Sequence, residues 1–363
     1  MDRRHLTSGL TAALLLLSSG TASAEPNFGI LQSELDAHCS DGRFSGAVAV
    51  VVAGAPVFQK ACGKDVSTES RFKIFSTSKL LTALAVMALV EEGRMELDAP
   101  AARYLNGLPP AWSAVTVRQL LDHTSGLPDE TNALLAAFQT DHGAAMHKVL
   151  ADRQDAAAPA TAPGSTWRYN NFGYELLADA AARVDGASFD KVLAKRVLEP
   201  AQMADALVEL AVADGEGDPK SAPDPRLVAG YVRDEDGVSE AVSYSFVQLG
   251  AGAVHATAAD FIALERALRD NRIVSAGTWR EMVEQAHANA PAVPSARYGL
   301  GVMSVARAGL GLQGHTGGTN GYISSYRRIP SRDAMVVALS NFGWAEIKWI
   351  EEAVAIALAN DKN

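Results

Sequence analysis

The chain has 363 residues, 48% of them hydrophobic and 20% charged, and carries a net charge of −10. This is ordinary globular composition, with enough length for one large domain or two packed units. An acidic chain with no basic stripe argues against nucleic acid or an anionic membrane surface as a partner.

Taken from the N-terminus, Arg3 and Arg4, an apolar run over 10–17 and the small triplet Ala22-Ser23-Ala24 read as an export signal cut before Glu25. The run falls short of the roughly 20 apolar residues a membrane span requires. No later stretch is apolar for long enough either. Residues 1–24 are therefore set aside as a signal peptide, leaving 25–363 as a single domain in the periplasm or outside the cell. The two cysteines, Cys39 and Cys62, flank an apparent hairpin. In an oxidising compartment a structural disulfide is one natural use for them, and the spacing leaves a bridge and two thiols about equally open.

Residues 46–52 and 57–62 read as strands joined by a turn at Gly54-Ala55-Pro56. The next element is a helix over 76–92. Its Leu80, Leu81, Leu84, Val86, Met87, Leu89 and Val90 cover nearly the whole circumference, so it should run buried through the middle of the molecule and stop at Gly93. From about 100 to 295 the chain is Ala-rich and helical in period, broken by loops at 155–164 and 214–219. Strand character returns at 298–305, 321–327 and 334–340, and an amphipathic helix over about 345–359 closes the chain. Strands at both ends enclosing a helical middle predict an α/β fold. The antiparallel sheet, flanked by helices, would come from about 25–100 and 296–363, with a mostly helical subdomain inserted at about 100–295.

Three short motifs could carry chemistry. Ser76-Thr77-Ser78-Lys79 is an S-x-x-K, and on a helix its two ends share a face. A serine hydroxyl is a weak nucleophile until a neighbouring base takes its proton, and a lysine serves once burial makes it neutral. At a helix start the serine N–H is also free to meet an oxyanion. The same spacing recurs at Ser70…Lys73 and Ser188…Lys191, but only Ser76 stands at the mouth of a long apolar helix; Ser188 reads as an ordinary N-cap. Tyr169-Asn170-Asn171 offers a tyrosine able to relay a proton beside a lysine, and in Asn171 an amide able to orient it. Gly314-His315-Thr316-Gly317-Gly318-Thr319-Asn320-Gly321 would let a substrate backbone approach a strand edge. His315 would add a donor whose charge changes near neutral pH. Each motif alone has a plain structural counterpart: an N-cap, turn asparagines, a Gly-rich turn.

Together, the order S-x-x-K, Y-x-N, H-T-G resembles the class C serine β-lactamases, the related D-alanyl-D-alanine carboxypeptidases and the esterases that share their fold. The stretches at 120–128, 253–260 and 331–341 are similar too, so the resemblance covers roughly 40–360. It implies that Ser76 is acylated while Lys79 and Tyr169 move its proton. The N–H groups of Ser76 and Gly318 would form the oxyanion hole, with Asn171, Thr316 and Gly317 beside the substrate. His315 stands where the β-lactamases carry a K-T-G lysine, a replacement that resembles the carboxypeptidase and esterase branches.

The sequence contains no G-x-S-x-G elbow, no H-E-x-x-H or other metal spacing and no nucleotide-binding glycine motif, so no cofactor and no metal are expected. His123 and His255 read as structural. The expected partner is a small-molecule or peptide substrate, and the oligomeric state has no signature in the chain. The rival reading, a fold of this kind kept to bind or sense a ligand without turnover, would not need Ser76, Lys79 and Tyr169 together.

Overall fold

The computed structural model describes residues 26–138, 141–213, 219–221, 224–235, 237–241, 248–284, 287–288, 296–319 and 321–360. The export signal read at 1–24, most of the loop read at 214–219 and Asn320 lie outside the described residues.

Helix α1 (Gly29–Ser40) leads into a hairpin of β1 (Gly46–Val52) and β2 (Ala55–Cys62). The middle of the chain supplies helices α2 (Ser78–Glu91), α3 (Asn171–Asp185) and α4 (Ala258–Arg269), among shorter ones. Six strands follow: β3 (His287–Ala288), β4 (Arg297–Tyr298), β5 (Met303–Arg307), β6 (Leu310–Thr319), β7 (Tyr322–Ile329) and β8 (Ala334–Ser340). Helix α5 (Lys348–Asn360) comes last. They form one eight-stranded antiparallel sheet in the order β3-β4-β5-β6-β7-β8-β1-β2, so the first hairpin docks on the last strand, Gly46 opposite Ser340. The sheet is thus built from both chain ends, as predicted.

β1 reads Gly-Ala-Val-Ala-Val-Val-Val without a polar residue because both of its faces are covered. Val48 and Val50 pack with Leu31, Leu35, Ile350 and Val354 of α1 and α5. Ala47, Ala49 and Val51 belong to the other, larger core, which contains all of the apolar side chains of α2 from Leu80 to Leu89. Every residue over 78–89 is buried, which is why this helix shows no amphipathic stripe.

Several boundaries differ from the sequence reading. α2 starts at Ser78, and Ser76 sits in a separate 3₁₀ turn, Phe75–Thr77. The span read as one strand over 298–305 is broken by a turn in which Gly299 N–H donates to the Val302 carbonyl and Gly301 takes φ +75°. The Gly-rich motif is mostly strand β6 rather than a turn. The middle stretch, read as mostly helical, also contributes strands. Val254–Ala256 pairs with Phe72–Lys73 and Leu207–Val208 in a small second sheet, and α4 packs on β1 and β8, adding to the sheet's own helical layer.

Cys39 and Cys62 are bridged, with Cα atoms 6.1 Å apart, tying the end of α1 to the end of β2 across a separation of 23 residues. Closing a loop of this size restricts the unfolded chain by about 3 kcal/mol. Replacing both cysteines by serine is expected to cost about that much in a denaturant titration. Reducing agent should then have no further effect on the double variant.

Candidate active site

The 3₁₀ turn that carries Ser76 is held from three sides. Its first residue, Phe75, is buried with φ +43°, a left-handed conformation that a non-glycine residue keeps only when its surroundings enforce it. Thr77 Oγ1 pairs with Ser324 Oγ at 2.8 Å, and Ser324 donates to the Ile74 carbonyl at 2.8 Å. The third side is β6. A Cβ on Gly317 would stand 2.1 Å from the Ile74 carbonyl oxygen and 2.8 Å from the backbone nitrogens of Ser76 and Thr77. Only a glycine lets the strand lie this close to the turn.

One helical turn on, Lys79 is fully buried and its Nζ donates to Ser76 Oγ at 3.1 Å and to the Ala251 carbonyl at 2.9 Å. Burial lowers its pKa to about 7, with the charges of Glu175 and Asp129 opposing the fall. The other two S-x-x-K spacings are accounted for differently. Lys73 Nζ is taken by Glu209 at 2.9 Å, and Ser188 and Lys191 are exposed on a short helix. His255, read as structural, is clamped between Glu209 at 3.0 Å and Asp224 at 3.2 Å.

The direction of the β6 backbone follows from its register. β5 and β6 join through the two-residue turn Ala308-Gly309, both residues at positive φ, so Arg307 and Leu310 form the hydrogen-bonded closing pair. Alternation then points the N–H and C=O groups of 310, 312 and 314 at β5, and those of 313, 315, 317 and 319 at β7. β5 ends opposite Gly314, so the backbone groups of Thr316 and Gly318 extend past it to an open strand edge. On the side-chain faces, His315 and Gly317 turn toward α2 and Ser76, while the Thr316 hydroxyl turns the other way and donates to Met303 Sδ at 3.7 Å.

His315 does not behave as the titrating donor that its residue type suggested. It is buried, its Nδ1–H donates to the Thr316 carbonyl at 2.6 Å, and its Nε2 accepts from Tyr298 OH at 2.9 Å. Burial, aided by the Lys79 charge, lowers its pKa to about 3. It is a neutral bridge between β4 and the open edge of β6, and supplies no cation there.

Tyr169 is hydrogen-bonded to the Ser76 side chain, and the Lys79 Nζ lies 4.9 Å from the centre of its ring. Burial raises the phenol pKa well above its ordinary value, the Ser76 hydrogen bond opposing it. Asn171 takes a different place from the one expected. It is the first residue of α3, its backbone N–H donates to Asp129 Oδ2 at 3.2 Å, and among the described residues its side chain makes no hydrogen bond to Lys79. Ala251 holds the lysine instead, and Asn170 is the residue that caps α3, through Gly173 N–H at 2.8 Å.

His123 belongs to the site, although its sequence context suggested only a structural role. It sits at φ +63°, and its ring lies 4.3 Å from that of Tyr169. Its carbonyl accepts from Arg168 N–H at 2.8 Å and its Nδ1 accepts from Asn170 N–H at 3.2 Å, so one residue pins the backbone on both sides of Tyr169. The only sequence signal was its place in Leu120-Leu121-Asp122-His123-Thr124-Ser125-Gly126, 47 residues from Asn170, its partner in space.

The Beta-lactamase family model matches residues 31–359. The chain belongs to the beta-lactamase family. Esterase EstB of Burkholderia gladioli is 28% identical over 217 residues, 54% of this chain and 55% of its own. A D-aminopeptidase of Brucella anthropi is 27% identical over 328 residues, 82% of this chain and 56% of its own. The matched regions therefore span little more than half the length of these curated relatives. A D-stereospecific amidohydrolase from Streptomyces sp. superposes with a TM-score of 0.72 at 25% identity, covering 90% of this chain and 98% of that one. Among the described residues, no helix of this beta-lactamase family member is long and apolar enough to cross a membrane.

The close approach of β6 to the Ser76 turn makes a direct test. Gly317→Ala should destabilise the fold by about 1–3 kcal/mol and slow acylation of Ser76 about 100-fold per folded molecule, because the added carbon meets the Ile74 carbonyl oxygen and displaces the Ser76 backbone. The rate of labelling by a fluorophosphonate reads this.

Proposed function

We propose that this protein is an exported serine hydrolase that cleaves an ester or an amide through an acyl-enzyme on Ser76. The observation that carries the reading is the Lys79 amine, fully buried, 3.1 Å from Ser76 Oγ, with its pKa lowered to about 7. A lysine so placed is half neutral near pH 7 and can accept the serine proton.

In the reaction, Ser76 Oγ bonds to the substrate carbonyl carbon as Lys79 takes its proton. The oxyanion accepts from the N–H of Ser76 and the open-edge N–H of Gly318. Collapse of this intermediate breaks the bond to the leaving group, which takes a proton from Tyr169; the Lys79 ammonium restores that proton to the phenol. Water then attacks the acyl-enzyme and loses its proton by the same route, freeing Ser76. Tyr169, with its pKa raised by burial, serves as the donor and Lys79 as the base. Thr316 offers open-edge backbone along which the substrate lies, Gly317 lets the strand lie close to the Ser76 turn, and Asn171 stands in the first turn of α3. The mature chain would start near Glu25 and work as one domain, the cleft lying between the sheet and the helical insertion. The names of the relatives support esters and D-configured amides as the substrate class.

Intact mass after exposure to a fluorophosphonate should show a single adduct that is lost in Ser76→Ala. Undiminished hydrolysis by Ser76→Ala would sink the assignment, and an adduct from substrates that is never released would favour a ligand-binding or sensor protein. The pH profile follows from the lysine: lowering the pH protonates Lys79, so kcat/KM should fall about tenfold per unit below pH 7 and level off above it.

A further inference from the structure

Glu175 on α3 is wholly buried and plays no part in the proton transfers just described. Both of its carboxylate oxygens are hydrogen-bonded. Oε1 accepts from Ala251 N–H at 2.9 Å, and Oε2 accepts from Gly250 N–H at 3.2 Å and pairs with His142 Nε2 at 2.7 Å. The two N–H groups belong to the short segment whose Ala251 carbonyl receives the Lys79 Nζ. From the other side, Thr82 of α2 donates to the Gly250 carbonyl at 2.7 Å. Gly250 itself lies tight on α3, where a Cβ would come within 2.1 Å of the Tyr174 carbonyl oxygen.

We propose that Glu175 is a positioning residue for Lys79, acting through the Gly250-Ala251 segment to aim the Ala251 carbonyl at the lysine amine while holding a buried negative charge behind it. The inference rests on the reading of Lys79 as the base for Ser76. A wholly buried carboxylate whose oxygens already take two backbone donors and a histidine does not reach a substrate directly, so its action is indirect. A buried carboxylate is costly to keep unless it is hydrogen-bonded, and here two of the three bonds go to the segment whose carbonyl meets the lysine amine. The groups facing Lys79 are Ser76, Tyr169 and Tyr174, the carboxylates of Glu175 and Asp129, and the neutral imidazoles of His123 and His315. Of the two carboxylates, Glu175 acts more strongly on the lysine, and its charge favours the ammonium form.

The two effects separate in a pair of variants. Glu175→Gln removes the charge, so the acidic limb of kcat/KM should move to lower pH by about one unit, and the plateau should fall about tenfold as one backbone N–H loses its acceptor. Glu175→Asp keeps the charge but shortens the reach, so the limb should stay at the wild-type pH while the plateau falls. A purely structural role would lower the amount of active protein, counted by fluorophosphonate labelling, without moving the limb per labelled site. Should either variant fail to fold, Thr82→Val loosens the same segment from its other side and should lower the plateau with the limb unmoved. Wild-type limb and plateau in Glu175→Gln, or an unchanged plateau in Thr82→Val, overturns the proposal. Failure of wild-type Ser76 to label would instead overturn the hydrolase reading on which it rests.

Discussion

A lysine amine with no access to solvent is the constraint around which the rest of the centre is arranged. Burying an ammonium is unfavourable, and the protein answers by making the neutral form accessible near pH 7 and by giving Nζ two oxygen partners. The same burial also imposes demands on the neighbours: His123 and His315, both beside the lysine, are held neutral, so the pocket carries no competing cation. The centre is therefore a place where one amine can hold or release a proton while the two adjacent imidazoles stay neutral.

Geometry around that amine comes from elements that are far apart in the chain. Ser76 and Lys79 arrive together on the 3₁₀ turn and the first turn of α2. Tyr169 is presented by a loop pinned at His123, and the open edge of β6 is brought in by a sheet that joins the two chain ends. The aromatic rings of Trp167, Tyr169, Tyr174 and Tyr298 surround His123 at 4.3–5.9 Å and make the wall behind the lysine. The docking of β6 on the Ser76 turn depends on Gly317 and on the Thr77–Ser324–Ile74 hydrogen bonds, which fix sheet and helix in a single relation. A second ionic cluster, Lys73, Glu209, His255 and Asp224, lies under the same turn in the small sheet and anchors Val254, whose carbonyl accepts from Ile74 N–H.

The bridge between Cys39 and Cys62 stands outside this machinery, at the far side of the sheet, where it joins α1 to the edge strand β2. An edge strand has a row of unpaired backbone groups and few contacts to hold it, and a covalent tie to a helix packed on the next face limits its fraying.

Local pattern determined a great deal here. The apolar circumference of α2, the alternation-free run of β1 and the spacing of Ser76 from Lys79 follow from backbone periodicity, which any window of the chain contains. So the buried helix, the two-ended sheet and the contact between Ser76 and Lys79 were legible, and the order of the three motifs pointed to the family. What only the tertiary structure decided are the properties that depend on surroundings assembled from distant residues. His315 looked like a titrating donor and is neutral because Tyr298 and the β-sheet bury it. Asn171 looked like the lysine's partner, yet Ala251, with no side-chain chemistry to announce it, holds that place. His123 and Glu175 act through backbone atoms of residues 47 and 75–76 positions away. Protonation state and backbone hydrogen bonding are set by desolvation and by three-dimensional proximity, and neither leaves a periodic trace in the order of residues.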